Sequence, residues 1–383
     1  MRGNKLLKFF DYYIGIPLVF LFSLFLRGNR TAVLKSLQPK RILVVKLVAL
    51  GDAVLLIPSL RALRKKYPQA EILFLGTSLT QNIVKQFPEY INEIIALNVM
   101  RLAKQPSYFI QIIKQLRNYH FDLVIDFEQW TRLTPLLIAF ANIPIRIGFK
   151  TPKQYHHYLY THLVERNSSR HEVDTLLSAV ELCTGKKESN ELELRVSQET
   201  IEKARSWLSG KGWNPAEAIV VLHPGCGTHG FPREWSPANY RTLIEKVSKE
   251  RTCFFILSGM KSEEKTMDAI GTLNDVTIEK YFIKSTDEFL ALLSLTNLVI
   301  SGNTGAMHLA AALKIPQIAL HGPTNSKIWG PINPNTVVIN SSCPDCPCLD
   351  LGFEYHRVDG FCMEQIAVDE VVRGSMKILK EVV

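Results

Sequence analysis

Short apolar runs of strand length recur along this chain, each followed by a helix-like stretch, in two series separated by a polar segment. Residues 42–45, 72–75 and 123–127 make the first series, with helical stretches such as 59–66 between them. "AIVVLHPG" (218–225), "CFFILSG" (253–259), "LVISG" (298–302) and "PQIALHGPTN" (316–325) make the second. Runs apolar on both faces that alternate with helices point to parallel strands joined by βαβ crossovers. The pattern predicts an α/β protein with two separate Rossmann-like sheets, and the polar stretch 197–214 is read as the helix and linker between them. At 383 residues the chain exceeds the usual size of a single core, which agrees.

With 46% apolar and 21% charged residues the composition is globular, which excludes a disordered chain. The formal charge of +9 calls for an anionic partner: nucleic acid, an anionic membrane surface or a phosphate-bearing substrate. The chain has no dense Arg/Lys block interleaved with aromatics and no nucleic-acid module, so the latter two are favoured. Seven cysteines with no cleavable secretory signal point to a reducing compartment.

"FFDYYIGIPLVFLFSLFL" (9–26) is about as long as a minimal spanning helix, but Asp11, Gly15 and Pro17 interrupt it. Arg2, Lys5 and Lys8 precede it and Arg27, Arg30 and Lys35 follow. Cations at both ends fit a monotopic or re-entrant anchor within residues 1–39 better than a spanning helix. A buried N-terminal helix of the globular part is the competing reading. It is disfavoured because apolar side chains cover every face.

In an open α/β sheet, ligands bind at the carboxyl edge, where a strand hands over to a helix. "KRILVVKLVALGDAVLLIP" (40–58) places Gly51 and Asp52 at such a junction; Asp52 is either a functional carboxylate or the N-cap of the next helix. "SGNTGAMHLAAALKIP" (301–316) ends a strand, turns at Asn303-Thr304-Gly305 and enters an apolar helix. Free N–H groups at that helix start, approached over small residues, would seat a diphosphate, with His308 one turn in. "HPGCGTHGFPREW" (223–235) is a second Gly-rich loop, offering Arg233 and His229 as cations and Trp235 as a core anchor. No GxGxxG stands in the right place, which argues against a nicotinamide enzyme. Cys343 and Cys346 of "CPDCPC" have zinc-compatible spacing, and Cys348 and Cys362 bring the set to four thiols. Cys346 and Cys348 lie too close for an ordinary second ligand pair, so the segment is read as a structural or redox-sensitive loop without metal, zinc being the alternative.

Together "LGDAVLLIPSLRALRKKYP", "HPG…REWSPANY" and "TGAMHLAAALKIPQIALHGPT" resemble glycosyltransferase family 9, the heptosyltransferases of lipopolysaccharide core assembly. The similarity covers most of the chain from Lys40 on, and "RIGF" (146–149) and "CM" at Cys362 agree with it. The resemblance implies a GT-B fold, with two Rossmann-like domains whose parallel sheets face each other across a cleft. An acceptor domain would occupy 40–200. A nucleotide-sugar domain would occupy 201–383, with the Cys loop and a closing helix at its end. It further implies an inverting, metal-independent transfer from a nucleotide-activated sugar, ADP-heptose by resemblance, with no cofactor. The acceptor would be a lipid-linked saccharide at the cytoplasmic face of the inner membrane, with no nucleic-acid partner. Asp52 matches the family's general base, and Gly51, Arg61 and Arg132 are acceptor-side candidates. On the donor side, Arg233 stands where the family usually has Lys, and Glu263 or Glu264 falls where a carboxylate meets the ribose. Asn303 replaces the usual Asp of Asp-Thr-Gly, ahead of Thr304, Gly305, Ala306, Met307 and His308. Asn can hydrogen-bond a sugar hydroxyl but is no anionic acceptor, which bears on the donor's identity more than on the reaction class. The alternative is a catalytically degenerate member that binds nucleotide sugar or glycolipid as a scaffold.

Overall fold

The computed structural model describes residues 5–26, 28–227, 230–350, 354–355 and 361–381. The chain divides into two compact units, Met1–Glu191 and Leu192–Val383. The helix expected in the linker, Gln198–Gly210, lies in the second unit and packs on the Thr286–Ser294 helix.

In the first unit β1 (Arg41–Lys46), β2 (Glu71–Gly76), β3 (Glu93–Ala96), β4 (Leu123–Asp126), β5 (Ile145–Lys150) and β6 (His162–Glu165) form one sheet in the order β3-β2-β1-β4-β5-β6. In the second, β7 (Ala218–His223), β8 (Cys253–Gly259), β9 (Ile278–Phe282), β10 (Leu298–Gly302), β11 (Gln317–His321) and β12 (Thr336–Asn340) run in the order β12-β11-β10-β7-β8-β9. All these pairings are parallel. Numbered within its own unit, the second sheet repeats the doubly wound order of the first. Each therefore has a switch point where the strand order reverses, at β1/β4 and at β7/β10.

Central strands are the ones the apolar runs reveal, because both of their faces are covered: β4, β7 and β8 are buried at every position. The edge strands β3 and β9, "EIIA" and "IEKYF", include charged residues and are only partly buried, so they carry no such run. The helix expected over 59–66 begins earlier, at Leu50, because a proline inside it, Pro58, interrupts the sequence pattern without ending the helix.

The apolar N-terminal segment folds as two short helices, α1 (Lys5–Tyr13) and α2 (Gly15–Ser23). No helix among the described residues is long and apolar enough to cross a membrane. Contrary to the expectation of an anchor apart from the globular part, the pair is docked on the first unit. Val19 is buried against Leu136, Ala139 and Leu159, and Asp11 forms an ion pair with Arg132 at 2.9 Å. Beyond α2, Leu26 O accepts a 2.9 Å hydrogen bond from Arg146 and Asn29 N donates to Pro144 O at 2.8 Å. The outward face keeps its aromatic and aliphatic side chains, with Phe25 72% exposed. Of the flanking cations, Arg2 and Arg27 lie outside the described residues.

Candidate active site

At the first switch point β1 ends in Lys46 and β4 in Asp126, with Val45 paired to Asp126 in register. Lys46 is only 1% exposed, and its Nζ lies 3.1 Å from Asp52 Oδ2 and 3.6 Å from Glu128 Oε1. Glu128 Oε1 also accepts from the N–H groups of Leu47 (2.6 Å) and Val48 (3.0 Å), fixing the chain as it leaves β1 for α3 (Leu50–Lys66). The N-cap of α3 is Ala49, which makes no side-chain cap bond, so Asp52 stands inside the first turn and is not the cap. There it benefits from the positive end of the helix dipole and from Lys46, and it remains 7% exposed, reachable from solvent.

A second buried set adjoins the first. Glu172 accepts from Gln129 Nε2 at 2.6 Å and from Arg166 at 3.4 Å, and Arg166 lies over the Trp130 ring. Burial pushes the Glu172 carboxyl up to about 7; Arg166 and Lys46 oppose the rise, and the charge of Asp52 adds to it. Burial likewise raises Asp126 to about 7, against hydrogen bonds donated by Glu128 N at 3.0 Å and the Tyr160 hydroxyl at 2.8 Å.

Two acceptor-side candidates are engaged in holding the unit together. Arg132 is bound by Asp11 and donates to Gln154 O at 3.0 Å, and Arg61 donates to Glu191 O at 3.0 Å. Gly51 is buried beside Asp52 in α3. Sequence reasoning missed Lys46, Glu128, Arg166 and Glu172. The signal for Glu128 was present as "DFEQW" (126–130), polar residues at the end of an apolar run and hence at the carboxyl edge of a strand.

In the second unit the residues read as donor-binding converge on the β7/β10 switch point. Arg233 donates to Asn303 O at 2.9 Å and to Cys226 O at 3.2 Å, tying the Gly-rich loop to the turn after β10. Glu263 closes the other side, accepting from Gly227 N at 2.9 Å and Met260 N at 2.8 Å. A Cβ on Gly225 would lie 2.1 Å from Glu263 Oε1, so a side chain there would displace the Glu263 carboxylate from this position. Glu264 instead pairs with Lys261 at 2.5 Å, which separates the two carboxylate candidates: Glu263 faces the loop. Trp235 is buried as expected, its Nε1 donating to Ile366 O at 3.2 Å. His229 lies outside the described residues.

Thr304 is the N-cap of the Gly305–Ala312 helix, yet its side chain makes no cap bond and its buried Oγ1 has no hydrogen-bond partner. The amides of Gly305, Ala306 and Met307 thus open the helix without a side-chain acceptor. With Arg233 adjacent and His308 buried one turn on, the arrangement suits an anion.

The family model described as glycosyltransferase family 9 (heptosyltransferase) matches residues 109–356. The lipooligosaccharide heptosyltransferase 2 of Campylobacter jejuni subsp. jejuni serotype O:2 is 22% identical over 344 residues, 86% of this chain and 96% of that protein. Among solved structures, the Escherichia coli ADP-heptose lipopolysaccharide heptosyltransferase II is similar with a TM-score of 0.69 at 19% identity, covering 90% of this chain and all (100%) of that one. The E. coli heptosyltransferase WaaC with ADP is similar with a TM-score of 0.63 at 18% identity, covering 88% and 99%. The two likenesses in structure establish a shared fold. Because the family model spans more than half of the chain, the protein belongs to glycosyltransferase family 9, the heptosyltransferases.

Proposed function

We propose that this protein is an inverting glycosyltransferase of the GT-B type that moves heptose or a related sugar from a nucleotide diphosphate to a lipid-linked saccharide such as lipopolysaccharide core. The observation that carries the reading is the placement of Asp52, a solvent-reachable carboxylate at a switch point, held by a buried lysine. Inversion needs one base to take the acceptor hydroxyl's proton while that oxygen attacks the anomeric carbon from the face opposite the nucleotide. Asp52 takes that role. The departing diphosphate gains exposed negative charge, which the amides of residues 305–307 and the Arg233 guanidinium stabilise, so the chemistry assigned here uses no metal at the reacting carbon. Asn303 and Glu263 are assigned to donor hydroxyls. ADP-heptose is the first donor to test, because one similar E. coli protein is an ADP-heptose heptosyltransferase and another was solved with ADP.

The reading includes peripheral attachment to the cytoplasmic face of the inner membrane through α1 and α2. Its support is the outward apolar face, Phe9, Tyr13, Phe20, Leu24 and Phe25 among it, together with the net charge of +9.

Asp52→Asn tests the assignment of the base. Transfer should fall by about 10²–10⁴-fold, the usual effect of losing a general base, while affinity for the nucleotide sugar stays near that of the parent. Unchanged transfer would remove Asp52 from the chemistry. A parent that binds donor but transfers to no acceptor in membrane extract would favour the scaffold reading instead.

A further inference from the structure

Cys343, Cys346 and Cys348 of the C-terminal loop meet in space with Cys362, which follows Cys348 by 14 residues. Cys348 Sγ is 3.5 Å from Cys362 Sγ, and Cys362 Sγ is 4.0 Å from Cys343 Sγ. The sulfurs of Cys343, Cys346 and Cys362 all lie within 4.8 Å of one another. None of the four is in a disulfide. A tetrahedral ion with metal–sulfur bonds of about 2.3 Å places its ligand sulfurs about 3.8 Å apart, and the two measured separations bracket that value. Cys346 belongs to this three-sulfur group, and Cys348 joins it through Cys362, which arrives from a separate helix, Phe361–Glu364.

Among the described residues, cysteines make up most of the lobe's own buried cluster. Its buried cluster consists of Cys343, Cys348 and Cys362, with Cys346 and Phe361 packed against them. Small lobes without an aliphatic core depend on a cross-link or a metal. We propose that Cys343, Cys346, Cys348 and Cys362 bind one thiophilic metal ion, zinc or iron, in a four-sulfur site that is structural and separate from the transfer chemistry. Each thiol gives up its proton on binding and no electron is transferred. The ion's effect reaches the edge of the second sheet. Cys348 N and Leu349 N both donate to Pro323 O, at 3.0 and 2.8 Å, and a Cβ on Gly322 would lie 2.5 Å from Met363 Sδ. Cys346 also lines a pocket of about 330 Å³ together with His321, Thr324, Asn325 and Lys327, just beyond β11. The site therefore pins the turn that forms one wall of that pocket.

The test uses the full chain, purified without a metal-binding tag from cells supplied with both zinc and iron. Elemental analysis should find about one atom of zinc or iron per chain. Iron would colour the protein. Zinc would leave it colourless and exchange for cobalt(II) with the absorption of a tetrahedral thiolate complex. Cys348→Ser and Cys362→Ser should each lose the metal and lower the Tm, whereas Cys183→Ser, buried elsewhere, should keep it. Metal-free parent protein whose reduced thiols take up neither zinc nor cobalt would overturn the proposal, and so would a Cys348–Cys362 disulfide in protein prepared anaerobically.

Discussion

Lys46 is among the largest fully buried side chains of the molecule, and its charge lies between two carboxylates. Lys46→Met would keep the volume and remove the buried cation that pairs with both Asp52 and Glu128. Breaking a buried ion pair in this way costs about 3–5 kcal/mol, so we expect a large drop in the urea midpoint together with loss of transfer. Glu172 offers a pH-resolved test. Its carboxyl ordinarily titrates at 4.5 and is raised to about 7 in the fold, so the folded protein holds a proton that the unfolded chain releases. Stability from this group is fully present below pH 4.5 and is lost as pH rises through about 7, on the order of 3 kcal/mol in all. Glu172→Gln keeps the partners Gln129 and Arg166 and cannot ionise. Its stability relative to the parent should therefore grow between those two pH values and level off above, as followed by denaturant unfolding at several pH values.

Among the elements, the Gly305–Ala312 helix shows how local sequence and function meet. Asn303-Thr304-Gly305 is legible as a strand-to-helix junction, but that the Thr304 hydroxyl is left unspent by capping is a property of the folded turn. Thr304→Val removes an unsatisfied buried hydroxyl at nearly constant volume, so the Tm should hold or rise slightly. If that hydroxyl meets the donor, ADP affinity measured by calorimetry should weaken by the worth of one hydrogen bond, about 0.5–1.5 kcal/mol. The α1–α2 pair makes the contrary case. Its apolar run was plain, but its docking was not, because the contact that places it, Asp11 with Arg132, spans 121 residues. Asp11→Ala would strand a buried guanidinium and should cost about 3–5 kcal/mol in unfolding experiments. Removing residues before Pro39 should likewise lower the Tm, since the partners of Val19 become exposed, as well as release the protein from anionic vesicles if the pair is the membrane contact.

At the scale of the molecule, each unit holds a complete six-stranded sheet. A large core cluster of the second unit gathers Val220, Leu222, Phe255 and Ile300. Residues 192–383 should therefore fold alone with a cooperative thermal transition and bind ADP, whereas residues 1–191 should fold without binding it. The sequence by itself determined the two series of buried parallel strands, because a strand covered on both faces must be apolar throughout. It also determined the two junctions, Gly51-Asp52 and Asn303-Thr304-Gly305, because a strand end and a helix start are written in adjacent residues. Tertiary structure alone decided that Asp52 shares a buried lysine with Glu128, whose carboxylate reaches back across 81 residues to the backbone of Leu47. It also decided that Arg132 serves Asp11, and that four thiols of the C-terminal loop and helix converge. Contacts of that kind leave no local period or spacing in a chain; they arise only when parallel strands distant in sequence are brought side by side.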